Sequence, residues 1–379
     1  TNPTAGKEVG PGETLRIEWT AKSVNGGAKV FICDSAQECP AGGRQIGSVA
    51  NINTKRLDWR VPLLANIPGE EKREGNKTYK DVYIRIEGEM DFDVGSFRWA
   101  QSQNFKIVKE LNVISPTGGE EFGLGEDLHI EWVSKGIQGG ALVYIASTDN
   151  VQAPMQIGGV GNIDRGYLDW RVPAFSAIPG EETRESNNVY KEVYVKVASA
   201  ADSTISAESE SFKIVKKLAV VSPKGGEELG SGEILEIEWT AKGIPGSANF
   251  YITKAAVGDD QPPTFIGSSP KISTGKETGK YSWKIPAFSA IPGEEKREGD
   301  GVYKEIYVTI VSAADKNISA NSKSFKIIKN LIIKNPKGGE ELGLGDSLKV
   351  EWTAKGIRGA IMVYIANADN VQPPKQIGG

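Results

Sequence analysis

Apolar and polar side chains alternate with a period of two along most of this chain. Leu128, Ile130 and Trp132 fall on one side of an extended segment, and His129 and Glu131 fall on the other. The same pattern marks residues 141–145 (Ala-Leu-Val-Tyr-Ile), 168–172 (Leu-Asp-Trp-Arg-Val), 193–197 (Val-Tyr-Val-Lys-Val) and 212–215 (Phe-Lys-Ile-Val). Long helical periodicity is absent. A period of two predicts half-buried strands. With the apolar stretch at 111–114, this makes about seven short strands at intervals typical of a β-sandwich.

The pattern then repeats. Leu15-Arg-Ile-Glu-Trp19 returns as Leu128-His-Ile-Glu-Trp132, Leu235-Glu-Ile-Glu-Trp239 and Leu348-Lys-Val-Glu-Trp352, so the Trp spacings are 113, 107 and 113 residues. A second Trp recurs in Leu57-Asp-Trp59-Arg-Val-Pro62, Leu168-Asp-Trp170-Arg-Val-Pro173 and Tyr281-Ser-Trp283-Lys-Ile-Pro286. Seven of the eight Trp residues occupy these two places, the exception being Trp99 in an extension of the first repeat. A period this long denotes tandem domains, each able to bury its own core, and not a solenoid. The expected fold is all-β: a tandem array of seven-stranded β-sandwiches. The expected repeats are 1–110 (first strand missing), 111–217, 218–330 and 331–379 (truncated). Gln376-Ile-Gly-Gly379 matches the mid-repeat Gln156-Ile-Gly-Gly159, so the chain reads as a window on a longer one. No Gly, Pro or Ser linker interrupts residues 105–113, 212–220 or 325–333. A stiff rod is therefore expected, each domain adding about 40 Å.

Charge and composition narrow the function. The formal charge is −4 with Lys and Glu interspersed, which argues against nucleic acid as the main partner. No apolar run approaches membrane-spanning length, and no signal-peptide pattern is visible. Cys33 and Cys39 are the only cysteines. A local disulfide closing a hairpin loop is the expected arrangement, implying an oxidising compartment, with free thiols as the alternative. One His, no repeated nucleophile beside a base and no paired carboxylates in a cleft leave catalysis without residues. No metal site or cofactor is expected.

Two sets of residues invite a contact. The first is the long stretch after the second Trp, which contains Ile67, Glu70, Glu71 and Arg73; Ile178, Glu181, Glu182 and Arg184; and Ile291, Glu294, Glu295 and Arg297. Its Ile-Pro-Gly-Glu-Glu-x-Arg-Glu core survives nearly verbatim while other loops drift. It would either plug the sandwich end, with Phe175 and Ile178 inward, or touch an adjacent domain or chain. The second set is a row of outward aromatics: Phe31 with Tyr83, Tyr144 with Tyr194, Tyr251 with Tyr307, and Tyr364. These would be cross-strand pairs stabilising the sheet, or a surface for sugar rings or a neighbouring rod. The acidic loops at 147–150 and 200–202 lack a dense carboxylate set for Ca²⁺. Asn76-Lys-Thr78 and Asn317-Ile-Ser319 fit the glycosylation pattern. The Gly-Gly-Glu-Glu segments at 118–121, 225–228 and 338–341 read as turns between the first two strands.

The order Ser-Pro-x-Gly-Gly-Glu, Gly-x-x-Leu-x-Ile-x-Trp, Trp-x-Val-Pro, Tyr-x-Val-x-Val and Ser-x-Ser-Phe-x-Ile resembles an immunoglobulin (Ig)-like module found in the Ser/Thr-rich GPI-anchored cell-wall family of fungi, which implies tandem Ig-like (seven-stranded Greek-key) β-sandwiches. Similar tandem repeats occur in bacterial and archaeal surface proteins. The resemblance covers every repeat and rests on core and turn positions, so it implies a fold and carries no catalytic or ligand residue. Neither a Ser/Thr-rich stalk nor a lipid-anchor signal is visible in this chain. The function expected is that of an extracellular or cell-surface structural protein: a stalk, adhesin shaft or filament subunit. Its partners would be copies of itself or cell-wall and surface glycans. A carbohydrate-binding array and an accessory region of a secreted hydrolase are the alternatives.

Overall fold

The structure, a computed structural model, describes residues 2–22, 24–39, 43–91, 96–185, 188–254, 262–273, 278–369 and 373–378. The architecture is all-β: the described residues form strands and single 3-10 turns, with no α-helix among them. The chain divides into two compact units, Thr1–Glu182 with Lys191–Ile214, and Thr183–Tyr190 with Val215–Gly379.

In the first unit the alternation of the sequence becomes two facing sheets per repeat. In the second repeat, Asp127–Lys135 pairs on one edge with residues 110–115, placing Trp132 opposite Val113. On its other edge it pairs with Tyr167–Arg171, placing Leu128 opposite Trp170. The facing sheet centres on Ala141–Ser147, held between Met155–Val160 and Asn188–Ser199. The first repeat follows the same plan, with Leu15 opposite Trp59 in one sheet and Ala28–Asp34 central in the other. The second unit repeats it again, with Leu235 opposite Trp283 and Ala248–Lys254 between Thr264–Ser269 and Gly301–Ser312.

Inward positions are sealed. Trp132 and Trp239 are each 1% exposed and Trp19 is 6% exposed. Each indole Nε1 donates to a carbonyl across the core: Trp19 to Ile52 (2.8 Å), Trp132 to Ile163 (2.8 Å) and Trp239 to Ile272 (2.9 Å). A buried Trp needs such an acceptor, and one design supplies it three times. In the fourth repeat Trp352 is 42% exposed, and the cavity lined by Leu348, Trp352, Val363 and Ile377 is an open half-core.

The Gly-Gly-Glu turns are carboxylate-clamped. Each follows a cis peptide bond, at Ser115–Pro116, Ser222–Pro223 and Asn335–Pro336. Glu120 accepts from the Thr117 N–H (2.7 Å), the Thr117 hydroxyl (2.8 Å) and the Gly118 N–H (2.7 Å). Partial burial pushes the Glu120 carboxyl up, but these donors outweigh it and hold the group below the ordinary Glu range. A depressed folded-state pKa contributes stability above the unfolded value of about 4.3 that is lost as pH falls through the folded value. Glu120→Gln should therefore flatten the acid side of the second repeat's stability profile, measured by denaturant unfolding from neutral pH down to about pH 3. An unchanged acid limb would show that the clamp contributes nothing.

Candidate functional site

The feature common to both units is the junction between consecutive repeats. Phe105–Ser115 is one unbroken strand. Its first part closes the first repeat, with Val108 opposite Tyr79, and its second part opens the second repeat, with Leu111 opposite Ser134. The expected boundary at 110/111 thus falls inside a single strand. In the second unit Phe325–Asn335 does the same, with Ile328 opposite Tyr303 and Leu331 opposite Ala354.

Side chains and backbone clasp each junction. Lys135 Nζ donates to the Glu8 carbonyl at 2.9 Å, and Lys355 makes the matching bond to the Glu228 carbonyl. Beside each lysine a glycine lies against the preceding repeat. A Cβ added to Gly136 would run into the Val108 carbonyl and lie 2.5 Å from Pro11 Cδ, and Gly136 has φ +66°. Gly356 meets the Ile328 carbonyl in the same way, at φ +68°. Only glycine allows both that backbone conformation and that approach. An ion pair adds to the first of these junctions, Lys109 to Asp202 at 3.6 Å; its counterpart Lys216 to Asp315, at 3.5 Å, stands at the start of the third repeat. The Thr204 hydroxyl, then its N–H and Lys109, hold the Asp202 carboxyl below the usual range against a smaller upward push from burial. The acidic 200–202 loop is thus occupied by a lysine and a threonine. Among the described residues no group of three or more His, Cys, Asp or Glu could hold a metal ion.

The long stretch is more ordered than a bare loop. It opens with a 3-10 turn at Leu64–Asn66, Phe175–Ala177 and Phe288–Ala290, and ends in a short strand at Lys72–Glu74, Thr183–Glu185 and Lys296–Glu298. Between them Ile67, Ile178 and Ile291 are 3%, 1% and 2% exposed, so the plug is present in all three repeats. A buried lysine locks it. Lys80, Lys191 and Lys304 donate to the carbonyls of Ile67 (2.7 Å), Ile178 (2.6 Å) and Ile291 (2.7 Å). Lys191 and Lys304 also lie over the rings of Phe175 and Phe288. Glu70, Glu71, Arg73, Glu181, Glu182, Arg184, Glu294, Glu295 and Arg297 are exposed. Within the second unit Arg184 Nη1 donates to the Asn317 carbonyl at 3.1 Å, whereas Arg73 Nε donates back to Gly75 at 3.4 Å. The Glu181 N–H is held by Asp149 at 2.8 Å. Lys191→Met should strip the donor from a buried carbonyl and cost about 1–3 kcal/mol. Hydrogen exchange should speed up at 178–182; unchanged protection there would remove the lysine from the lock.

The aromatics point away from the core but are offset by two residues instead of sitting opposite. Phe31 faces Arg85 while Tyr83 faces Cys33; Tyr144 faces Lys196 while Tyr194 faces Ala146; Tyr251 faces Thr309 while Tyr307 faces Thr253. Phe31, Tyr144, Tyr194, Tyr251 and Tyr307 are half-buried, and Tyr364 is exposed. Tyr83 departs from an open surface altogether. It is 8% exposed beneath the Cys33–Cys39 disulfide, whose Cα atoms are 5.8 Å apart. Its hydroxyl accepts from the Cys39 N–H (3.2 Å) and donates to the Gln37 carbonyl (3.2 Å). Intact mass should show no alkylation of the native protein without reductant and two added groups after it. Removing both thiols should cost on the order of 2 kcal/mol for so short a loop. The lone His129 faces Asp169 (2.6 Å) and stacks on Tyr167, an exposed cross-strand cluster.

No family model matches the chain, and no curated protein matches it. Solved structures of tandem Ig-like and fibronectin-like domains do. The chain is similar to the fibronectin(III)-like modules of Clostridium thermocellum CbhA at 18% identity, covering 57% of this chain and 92% of that one, with TM-score 0.18. The I9–I11 tandem of titin matches at 8% identity, over 84% of this chain and 94% of that one, with TM-score 0.29. The four N-terminal Ig domains of Dscam1 isoform 4.4 match at 10% identity, over 100% and 89%, with TM-score 0.18. At these values the likeness assigns no residue role and no activity.

Proposed function

We propose that this chain is a structural array, a stalk, adhesin shaft or filament subunit, displayed outside the cell and without catalytic activity of its own. The observation that carries the reading is the strand shared between consecutive repeats, clasped in both units by the same Lys and Gly. A flexible tether of independent modules would carry a slack linker at that point. The disulfide supports an oxidising compartment. The resemblance to the Ser/Thr-rich GPI-anchored cell-wall module and to bacterial and archaeal surface repeats supports a place at the cell surface. Its partners on this reading are further copies of itself, through the charged Glu-Glu-x-Arg-Glu arms. The half-buried state of the outward aromatics weighs against the carbohydrate-binding array. Electron microscopy of native material, together with small-angle scattering of the purified chain, tests the proposal. Extended particles or fibres are expected, with no affinity of a single repeat for polysaccharide. Broadly distributed inter-repeat angles, or tight polysaccharide binding by one repeat, would overturn it.

A further inference from the structure

The long stretch of each complete repeat ends in an arm, a two-stranded ribbon whose outer strand is Lys72–Glu74, Thr183–Glu185 or Lys296–Glu298. Each outer strand pairs on one edge, with Arg73 opposite Thr78, Arg184 opposite Val189 and Arg297 opposite Val302. No strand among the described residues covers its other edge. The arms are anchored. Lys77 Nζ pairs with Glu8 at 2.9 Å, and Lys106 lies 4.0 Å over the Tyr79 ring. In the third repeat Lys326 pairs with Glu298 at 2.6 Å and lies 4.5 Å over the Tyr303 ring. An exposed edge already held in one conformation costs little to order in a contact.

Proteins commonly protect short edge strands with charge, most often lysine. Here both signs occur, in a fixed order. The first arm reads Glu70-Glu71-Lys72-Arg73 and the third Glu294-Glu295-Lys296-Arg297, and all of these side chains are exposed. The order is its own complement. Laid antiparallel against a second copy, Glu70 faces Arg73 and Glu71 faces Lys72, and both pairs recur across the two-fold axis. The third arm matches itself, or the first, in the same way. Sliding the register by two residues sets Lys72 against Arg73 in one direction and Glu70 against Glu71 in the other, which is repulsive. The groups are also available. The carboxylates of Glu70, Glu71, Glu294 and Glu295 make no ion pair among the described residues. Lys72 and Lys296 meet Asp81 (2.7 Å) and Glu305 (3.2 Å) within the repeat, and an ammonium keeps two further donors. Arg73 donates through Nε to the Gly75 carbonyl, which leaves both Nη groups for a neighbour.

We propose that the arms pair edge to edge with the arms of a second copy, antiparallel and in this single register, so that chains associate side by side through several two-fold contacts. The inference deepens the structural reading above and rests on it. Exposed ion pairs are individually weak and are screened by salt, so one arm does not hold two chains. Repetition makes up the difference: once one pair of arms has met, a second pair on the same two chains closes at a high effective concentration. The second arm, Glu181-Glu182-Thr183-Arg184, has Thr where the others have Lys, and its Arg184 is bonded to the Asn317 carbonyl at 3.1 Å. The first and third arms therefore carry the contact.

Sedimentation of the full chain across concentration and salt, combined with charge exchange, tests this. The unaltered chain is expected to self-associate at low ionic strength and to dissociate as salt rises. Glu70→Arg with Glu294→Arg sets like charges opposite one another, and so does Arg73→Glu with Arg297→Glu. Either double variant alone should associate at least about tenfold more weakly. Mixed in equal amounts, the two variants face each other with opposite charges at every position of the register. Association should then return to within about threefold of the unaltered chain, which also shows that both variants are folded. Monomers of the unaltered chain at every salt and concentration, association indifferent to salt, variants that associate like the unaltered chain, or a mixture that fails to recover would each overturn the pairing. Extended particles in the scattering test are compatible with any of these outcomes, so the pairing and the structural reading fail separately.

Discussion

Trp132→Ala is expected to destabilise the second repeat by about 3–5 kcal/mol, the range for truncating a buried aromatic. The ring is 1% exposed, and losing its Nε1 bond leaves the Ile163 carbonyl with only the longer bond from the Gly166 N–H. Against the 5–15 kcal/mol typical of a domain, that is enough to populate its unfolded form at moderate temperature. Trp170, the second repeated Trp, is half-buried in this repeat and should cost less. Hydrogen exchange should lose protection across residues 111–182 and 191–214 of the first unit. Protection of residues 77–82, paired with the first part of the shared strand, should persist, since that part still belongs to the first repeat. The spread of the effect is the informative part. If protection at 77–82 collapses as well, the two repeats fold as one unit.

Much of this fold was legible because burial is written in residue type. The alternation at 128–132 is reproduced as inward Leu128, Ile130 and Trp132, and the absence of a Gly or Pro linker at 105–113 appears as an unbroken strand. Other features left no comparable mark. Lys80, Lys191 and Lys304 stand at positions where a lysine reads as a solvated strand residue, yet each is buried because a main-chain carbonyl waits for it. The clasp is invisible for the same reason, since Lys135 and Lys355 recognise backbone atoms of residues 127 positions away. Backbone acceptors carry no residue signature, so a sequence cannot announce such a bond. Gly136 offered a signal, but one shared with every turn glycine in the chain. Tyr83 was misplaced because alternation gives a side chain's direction and not what lies over it. Here a disulfide-closed loop unique to the first repeat covers an otherwise outward ring.

Gly136→Val should break the junction while sparing the sandwiches on either side. Three costs fall on one residue. A β-branched side chain at φ +66° is a backbone outlier, worth about 1–2 kcal/mol by itself. The new Cβ meets the Val108 carbonyl and Pro11 Cδ, neither of which is the movable end of a flexible side chain. The displacement needed to relieve that clash also pulls Lys135 from the Glu8 carbonyl. The strand hydrogen bonds inside each sandwich do not pass through this point, so the relief is expected as separation of the two repeats about residues 108–111. Distance measurements between labels on the exposed Ser48 and Thr148 should change from one narrow distribution to a broad one, with near-native thermal unfolding of each sandwich. Gly161→Val is the control, because nothing lies within 4 Å of its added Cβ. A narrow distribution in Gly136→Val would mean that the shared strand alone fixes the junction and that the clasp is incidental to it.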